Sequence, residues 1–467
     1  MMARVKSTQQ IESILVAVKQ CLRLAIPLIL TNLVQSASGF VGTVMVAHLG
    51  EIPLAANAIV SNIYLTIIVF MYGLLGAVSV LVAQAYGAKN HPGIKFATGQ
   101  GFFIAIIFSL FMMILLWHMA FLLKITGQNA AIILIAVPYL HALVLGFIPL
   151  GLLVVMENYL MGIARARTVL LFSLLEVPLE ILACYALVFG KFGFPALGLV
   201  GIGYAFAAIF LFMDILLIAG ICYFPSTRRD SIFSYSWRLQ PSYFCEIIRI
   251  GVPIGLMYTV EMIMYFGMVF MMGKFGTDQL AAHQIAIQYI NNVAFMIIWG
   301  FAQATTIQVG YAVGENNRAA ILRATQINLG LSLIIMVVLI GFFFIGYPRL
   351  LIGFDIDIRQ PYAAAIVSHA ILFLAIGGLA QLADTVRFIA LGALRGLKDT
   401  RVPMWISVIV FWGIALPLGY LFGFVFHGEG AGLWLGVLIS LIIGAGVLWW
   451  RYHRLARTIN LTALLLS

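Results

Sequence analysis

Long apolar runs, separated by short polar segments, follow one another along almost the whole chain. A bilayer core of about 30 Å needs about 20 apolar helical residues to cross it, and we count twelve runs of this kind. Only 9% of the 467 residues are charged and 63% are hydrophobic, whereas a soluble domain carries about 25% charged residues. The sequence therefore predicts an all-α membrane protein with twelve transmembrane helices.

The predicted spans form two groups of six on either side of one longer polar stretch. The first six cover roughly 22–47, 55–85, 97–122, 131–155, 168–190 and 198–223, and the second six cover roughly 247–273, 280–311, 324–346, 362–391, 402–426 and 431–450. Three arginines and two prolines lie between the groups. We therefore predict an N-terminal six-helix lobe at 1–223, a cytoplasmic linker at 224–246 and a C-terminal six-helix lobe at 247–467.

The basic residues alternate between the two ends of the predicted spans. If both termini are cytoplasmic, 21 of the 26 lysines and arginines lie on the cytoplasmic side, as the positive-inside rule requires. The outer loops then keep Lys124, Lys191, Lys274, Arg349 and Arg359. The first twenty residues lack the features of a signal peptide, so we expect an uncleaved, multi-pass protein of a bacterial inner membrane. Because the bases are dispersed, the net charge of +10 does not indicate a nucleic-acid partner.

The two halves of the chain resemble each other. Residues 22–57 align with 248–283 at a constant offset of 226, with 10 identities in 36 positions. The shared positions include Arg23 and Arg249, Pro27 and Pro253, and Gly50 and Gly276. Because each half holds an even number of spans, the repeats are predicted to be parallel and related by a pseudo-two-fold axis along the membrane normal. Such repeats are one architecture for alternating access.

Four motifs in the spans suggest a family. They are Thr43-Val-Met-Val-Ala-His-Leu-Gly50, Phe189-Gly-Lys-Phe-Gly-Phe-Pro-Ala-Leu-Gly-Leu-Val-Gly-Ile-Gly203, Leu280-Ala-Ala-His-Gln-Ile-Ala286, and Asp384-Thr-Val-Arg-Phe-Ile-Ala-Leu-Gly-Ala-Leu-Arg-Gly-Leu-Lys-Asp-Thr400. With them the chain resembles the multidrug and toxic compound extrusion family, and within it the NorM-type branch. The likeness covers essentially the whole chain, and the last motif is the most specific.

The resemblance implies two six-helix lobes that exchange sodium or protons for organic cations. It implies that Glu261 and Asp384 bind the coupling cation, and that they are metal ligands if this cation is Na⁺. It also implies that Gln284 lines a polar cavity. In the N-terminal half the chain departs from the family. Gly42 stands where the NorM-type first helix usually has Asp. Two family Asn positions on the fifth helix are Glu176 and Glu180, so the N-lobe cation site cannot be carried over unchanged.

Acidic side chains outnumber basic ones deep in the spans. The deep acids are Glu157, Glu176, Glu180, Asp214, Glu261 and Asp384, and the only comparably deep base is Arg387. An ionised residue at the bilayer centre costs ~2.5–3.5 kcal/mol on insertion scales, so it needs a partner, a proton or a wet cavity. An acidic interior therefore predicts cations as substrate and as coupling ion.

The two acids of the C-terminal half each have an alternative structural role. Glu261 lies near mid-membrane and could instead be a protonated carboxyl bonded to a neighbouring helix. Asp384 could instead form an ion pair with Arg387, one helical turn away. Such a pair would make Asp384 a poor proton carrier while leaving it able to bind sodium.

Glu176 and Glu180 share one helix face, with Pro178 between them, where the helix is expected to bend. Two carboxyls this close in a low dielectric cannot both ionise easily and would titrate as a unit. We interpret them as a proton site that replaces the missing first-helix Asp. The alternative is an ion pair between Glu176 and Arg165 or Arg167.

The other polar residues in the spans predict structural roles. Glu157 and Asp214 are expected to bond other helices or line a cavity. The lone histidines at positions 48, 118, 141 and 369 are expected to be interfacial or hydrogen-bonded. The Met-rich stretch 256–272 is expected to be lipid-facing or packing, with some side chains able to form a deformable wall for varied substrates.

Together these features predict an antiporter, coupled to H⁺ or Na⁺, that exports cationic amphipathic small molecules by alternating access. The alternative is a flippase for a lipid-linked oligosaccharide, although an anionic pyrophosphate would call for several basic residues in the cavity. No H-E-x-x-H, G-x-S-x-G or G-x-x-x-x-G-K-[ST] motif occurs, so we predict neither an enzyme nor a bound cofactor. We expect a monomer in the lipid bilayer.

Overall fold

A computed structural model describes residues 2–119, 121, 129–223, 232–233, 238–358, 360 and 363–466. Within these residues the regular structure is helical. Eleven described helices are long and apolar enough to cross a membrane, or twelve if one bent pair forms a single span. The predicted all-helical membrane fold is thus confirmed.

The helices are numbered here in chain order. Their bounds are α1 Met2–Ala47, α2 Glu51–Gly87, α3 His91–Trp117, α4 Ala130–Leu145, α5 Phe147–Gly162, α6 Ala166–Phe189, α7 Leu199–Tyr223, α8 Pro241–Met272, α9 Thr277–Gly314, α10 Arg318–Gly346, α11 Pro348–Asp355, α12 Ala363–Gly396, α13 Arg401–Val425, α14 Glu429–Thr458 and α15 Leu461–Leu466. Short π-helical segments lie inside α9 and α13 and at the C-terminal ends of α10 and α13. Such turns commonly occur inside long helices and at functional sites.

The bent pair, Ala130–Leu145 and Phe147–Gly162, corresponds to the fourth predicted span, 131–155, and extends beyond its end. Helices α4 and α5 meet at Gly146 and differ in direction by 42°. Pro149 explains the break, because a proline ring collides with the carbonyl four residues earlier and lacks an N–H to donate. That carbonyl belongs to Leu145, the last residue of α4.

The described chain forms two compact units. The N unit is Leu33–Gly255, and the C unit combines Met1–Asn32 with Leu256–Ser467. Helices α1 and α8 are therefore each divided between the units, whereas the predicted lobes are 1–223 and 247–467. Of the predicted linker, residues 224–231 and 234–237 lie outside the described residues, and α8 already begins at Pro241. The lobe division stays a prediction.

Equivalent positions of the sequence repeat have the same rare backbone geometry. Gly50 has φ 104° and ψ 179° immediately before α2, and Gly276 has φ 110° and ψ 167° immediately before α9. Only glycine adopts these angles without strain. One helix later in each half, Asn90 and Asn317 cap α3 and α10 through side-chain bonds to backbone N–H groups. The repeat is thus present in local structure as well as in sequence.

The core of the N unit is apolar and joins α2 to the bent pair and to α6 and α7. Tyr64 of α2 meets Phe147 of α5 edge to face, with ring centroids 5.3 Å apart. The C unit is centred on α12, which packs against α9, α10 and α14. Every residue from Arg387 to Gly396 is buried. A helix that is buried all round lies inside its unit, so its polar side chains face protein and not lipid.

Close glycine packing joins α8 to α2 within the N unit. A Cβ atom at Gly251 would lie 2.1 Å from the carbonyl oxygen of Leu74, and one at Gly255 would lie 2.7 Å from that of Phe70. Real Cβ atoms do not approach backbone atoms this closely. The two helix backbones can therefore touch only because these residues are glycines.

We expect Gly251→Ala to lower the free energy of unfolding by ~1–3 kcal/mol, since overpacking forces the backbone to move. Gly267→Ala in the same helix is the matched control, because its Cβ would meet only the Leu416 side chain at 4.0 Å. Thermal unfolding of both variants in detergent measures the difference. Equal midpoints would show that α8 and α2 do not pack as described.

Candidate cation sites

In the C unit, the two predicted carboxylates share a single arginine. The Arg387 Nε donates to Asp384 Oδ1 at 2.5 Å, while Nη2 and Nη1 donate to the two carboxylate oxygens of Glu261 at 2.6 and 3.2 Å. Asp384 and Arg387 are one turn apart on α12, and Glu261 comes from α8. All three side chains are buried. We call these residues the arginine triad.

Aromatic rings hold the guanidinium of the triad in place. The Arg387 Cζ atom lies 4.4 Å from the ring centre of Phe388 and 4.9 Å from that of Phe411. Arginine stacks readily on aromatic faces while its edges bond carboxylates. The same side chain thus satisfies both acids and fills an apolar space.

The triad bears on the roles that the sequence left open for the two acids. For Asp384 these were cation coupling and an ion pair with Arg387. That ion pair forms, and Arg387 reaches Glu261 as well. The sequence could not show the second contact, because 126 residues separate the partners. Arg387 thus bonds both carboxylate oxygens of Glu261 but only Oδ1 of Asp384.

In the described part of the N unit, four buried acids come together without a basic ion-pair partner. Glu157 lies on α5, Glu176 and Glu180 lie one turn apart on α6, and Asp214 lies on α7. These three helices pack against one another. The carboxyl of Glu176 interacts electrostatically with those of the other three acids, and Asp214 interacts with Glu157. We call this group the four-acid cluster.

Hydroxyl groups surround the four-acid cluster. Ser38 of α1 donates a 2.7 Å hydrogen bond to Glu180. The phenols of Tyr72 and Tyr64, both on α2, interact electrostatically with acids of the cluster. The Tyr64 hydroxyl and both carboxylate oxygens of Asp214 are buried without a hydrogen-bond partner. In the described part of the chain, no lysine or arginine pairs with any of the four acids.

The alternative for Glu176 does not form. Among the described residues it makes no ion pair with Arg165 or Arg167, and its side chain is buried beside the other acids. Helix α6 is continuous across Pro178. Glu157 and Asp214, expected to have bonding or lining roles, instead complete the cluster. Their spacing from α6 in the sequence gave no sign of this contact.

In the Leu280–Ala286 motif, His283 is buried and the predicted cavity residue Gln284 is not. Gln284 is exposed, whereas the neighbouring His283 is fully buried and neither ring nitrogen has a hydrogen-bond partner. The imidazole lies against Trp434, with ring centroids 5.6 Å apart. His283 was not among the predicted residues. The available signal in the sequence was its spacing of four residues from Gln279, which places both side chains on one face of α9. Both are buried in the structure.

The lone histidines and the Met-rich stretch have local contacts. His48 and His118 bond the carbonyls four residues earlier, His141 bonds the carbonyl of Trp117, and His369 stacks on Phe373. Met264, Met268 and Met271 line a small apolar cavity together with residues of α13 and α14. These arrangements agree with bonded histidines and with methionine as packing.

The fold and these sites define a multi-pass, all-helical membrane protein with ionisable groups inside two compact units. Known proteins give the family. The MatE family model matches residues 27–186 and 253–421, and the two matches begin 226 residues apart, as the internal repeat predicts. The chain therefore belongs to the MATE family of transporters, and it is not an enzyme.

The relatives include three proteins named probable multidrug resistance protein NorM. That of Rhizobium meliloti is 33% identical over 94% of both chains, and that of Synechocystis is 31% identical over 93% of this chain and 94% of the relative. That of Pseudomonas aeruginosa is 33% identical over 92% and 88%. The resemblance to the NorM-type branch is thus confirmed over the full length.

Solved structures share the fold at low sequence identity. An outward-facing multidrug resistance MATE family transporter of the MOP superfamily aligns with a TM-score of 0.85 at 19% identity, covering 97% of each chain. The eukaryotic MATE transporter AtDTX14 aligns with a TM-score of 0.80 at 19% identity, over 97% of this chain and 98% of that one.

Proposed function

We propose that this transporter is a cation-coupled antiporter that exports organic cations by alternating access. The four-acid cluster is the observation on which the proposal depends. Four carboxylates cannot all be ionised in a buried space without a base, because desolvation and mutual repulsion both oppose it. The cluster must therefore hold protons or metal cations, and H⁺ or Na⁺ is the coupling ion.

Glu176 and Glu180 are the proposed binding residues for the coupling ion in the N unit. They stand on one face of α6, and Ser38 keeps Glu180 oriented. Glu157 and Asp214 extend the same group of carboxyls from two further helices. The pair thereby takes the role that the first-helix Asp, absent at Gly42, would otherwise play.

Glu261 and Asp384 form the proposed second coupling site, and ion binding at Glu261 depends on a change of conformation. Arg387 bonds both oxygens of Glu261 but only Oδ1 of Asp384, so a proton or sodium ion can bind Glu261 only if that carboxylate leaves the guanidinium. A binding event that depends on breaking an ion pair distinguishes two conformations by their affinity for the ion. Differential affinity of this kind is what shifts a conformational equilibrium.

The substrates are proposed to be cationic, amphipathic small molecules, including drugs. Relatives that bear multidrug resistance names over the whole length support this substrate class. We propose a monomer in a bacterial inner membrane with both termini cytoplasmic, since that orientation places 21 of 26 basic residues inside. Two six-helix lobes, 1–223 and 247–467, would move as the alternating bodies, with Gln284 lining the path.

A lipid-linked oligosaccharide flippase is less well supported. Binding of a pyrophosphate needs several free guanidinium or ammonium groups. The donors of Arg387 are already bonded to two carboxylates. One further buried arginine, Arg395, is too few for a pyrophosphate, and the four-acid cluster would repel an anion.

Antiport predicts that substrate movement depends on an ion gradient. When a fluorescent organic cation is added outside proteoliposomes, we expect uptake into an acidic or sodium-loaded lumen and collapse of uptake when both gradients are dissipated. Each coupled charge contributes ~2.3 kcal/mol per 100 mV of membrane potential, so the potential must be clamped. Transport that persists unchanged after both gradients are removed would refute antiport. Selective collapse by a protonophore or a sodium ionophore identifies the ion.

A further inference from the structure

Arg395, in the last turn of α12, is a buried base with unused donors. Only 8% of its surface is accessible to solvent. The Nε and Nη2 atoms are both inaccessible to solvent and have no hydrogen-bond partner. Tyr258 forms a hydrogen bond with the guanidinium, but Nε and Nη2 have lost their water without gaining a partner, which is costly.

The two unused nitrogens lie on one edge of the guanidinium plane. The N–H bonds of Nε and Nη2 are parallel and spaced to match two oxygens of one carboxylate or phosphate. Arg387 provides the comparison within the same helix, since all three of its nitrogens are bonded to Glu261 and Asp384. All donor nitrogens of Arg387 are thus bonded, whereas Arg395 has two buried nitrogens on one edge that lack a hydrogen-bond partner.

Aromatic rings form one wall beside Arg395. Its Cζ atom lies 4.8 Å from the ring centre of Tyr258, whose ring lies 4.7 Å from that of Trp299. Trp299 in turn contacts Phe295, at 5.6 Å between centroids. Trp299 and Phe295 are partly exposed. A flat apolar group attached to an anion would therefore find a stacking surface next to the guanidinium.

The surrounding charges leave Arg395 available. Glu261 interacts electrostatically with Arg395 but is bonded to Arg387. The charges of Arg387 and Arg395 balance those of Glu261 and Asp384. These four side chains therefore carry no excess negative charge that would repel an anion. The last-turn position near the helix C-terminus stabilises the positive charge without using the Nε–Nη2 edge.

We propose that the Nε–Nη2 edge of Arg395, beside Tyr258 and Trp299, binds a small oxyanionic group, a carboxylate or a phosphate, in a conformation of the transporter that opens this buried edge. The group belongs to a molecule with a flat apolar part or to an anionic lipid. The site is separate from the proposed coupling acids. It would extend the ligands of this chain from cations to molecules that carry an oxyanion.

Benzoate tests the site, because it combines a carboxylate with one aromatic ring, and benzamide is its neutral counterpart. The full-length protein is placed in phosphatidylcholine nanodiscs, and the dependence of the unfolding midpoint on ligand concentration gives the dissociation constant. We expect benzoate to bind about tenfold or more tightly than benzamide, as for a hydrogen bond to a charged group. Arg395→Gln should remove that preference, and Arg395→Lys should keep only part of it.

Arg401→Gln is the matched control, since Arg401 is exposed at the start of α13 and its loss should leave benzoate binding unchanged. Nanodiscs with phosphatidylglycerol distinguish the two sources of the oxyanion. Loss of the benzoate effect there identifies lipid phosphate as the occupant, and its persistence identifies a soluble carboxylate. Equal binding of benzoate to the parent and to Arg395→Gln would overturn the proposal. If neither Arg395 variant folds, equal binding of benzoate and benzamide to the parent overturns it.

Discussion

Glu180→Gln is expected to abolish the pH dependence of substrate transport. Glutamine keeps the volume of the side chain and can still accept the hydrogen bond from Ser38, but it cannot release or bind a proton. A proton that moves down one pH unit releases ~1.4 kcal/mol, a tenfold concentration ratio. The substrate gradient sustained by one pH unit should therefore fall about tenfold for each coupled proton that is lost.

The measurement is uptake of a fluorescent organic cation into proteoliposomes over a series of lumenal pH values. The parent should transport faster as the lumen becomes more acidic, and Glu180→Gln should show a flat profile. Glu51→Gln is the matched control, because Glu51 is exposed at the start of α2 in the same unit. Asp214→Asn should reduce the dependence as well if the four-acid cluster acts as a group. A Glu180→Gln profile that coincides with the parent would remove the cluster from the coupling mechanism.

Arg387→Gln is expected to destabilise the protein by ~3–5 kcal/mol, the usual cost of removing one partner from a buried ion pair. The substitution would leave Glu261 and Asp384 in a buried space without the arginine that forms ion pairs with both. Equilibrium unfolding in mixed detergent micelles measures the change. The comparison is Arg451→Gln, which breaks the ion pair with Asp399. Arg451 is 30% exposed, so that loss should be only ~0–1 kcal/mol.

A triple substitution separates stability from function. In Glu261→Gln/Asp384→Asn/Arg387→Gln the buried charges disappear together, and the amides can still bond one another. Replacing a whole buried charged group is often neutral or stabilising, so stability should return close to that of the parent. Transport should not return, because no ionisable group remains in the triad. Restored transport would show that the triad only holds α8 against α12.

The membrane fold could be predicted from local properties of the chain. Each span is an apolar run long enough to cross a bilayer, and the number of spans follows from counting such runs. The repeat was visible in single positions such as Gly50 and Gly276, and those positions share a backbone geometry that glycine tolerates best. The break between α4 and α5 was not predicted, although Pro149 gives it a local cause.

The candidate sites were predictable only in part. The residue types and the one-turn spacing of Asp384 and Arg387 indicated an ion pair, which forms at 2.5 Å. The contact of Arg387 with Glu261 depends on how α8 packs against α12, and the sequence carries no record of that distance. Glu157 and Asp214 joined Glu176 for the same reason, through the packing of α5, α6 and α7.

The sequence by itself determined that this chain lives in a membrane, that its interior is acidic and that its halves are related. These properties depend on composition and on spacings within one helix or one repeat, where geometry follows directly from residue number. Only the tertiary structure decided which acids have a base. Charge partners on different helices are fixed by helix packing. Among the residues that the structure describes, packing assigned Arg387 to Glu261 and Asp384, and it assigned no lysine or arginine to the four-acid cluster.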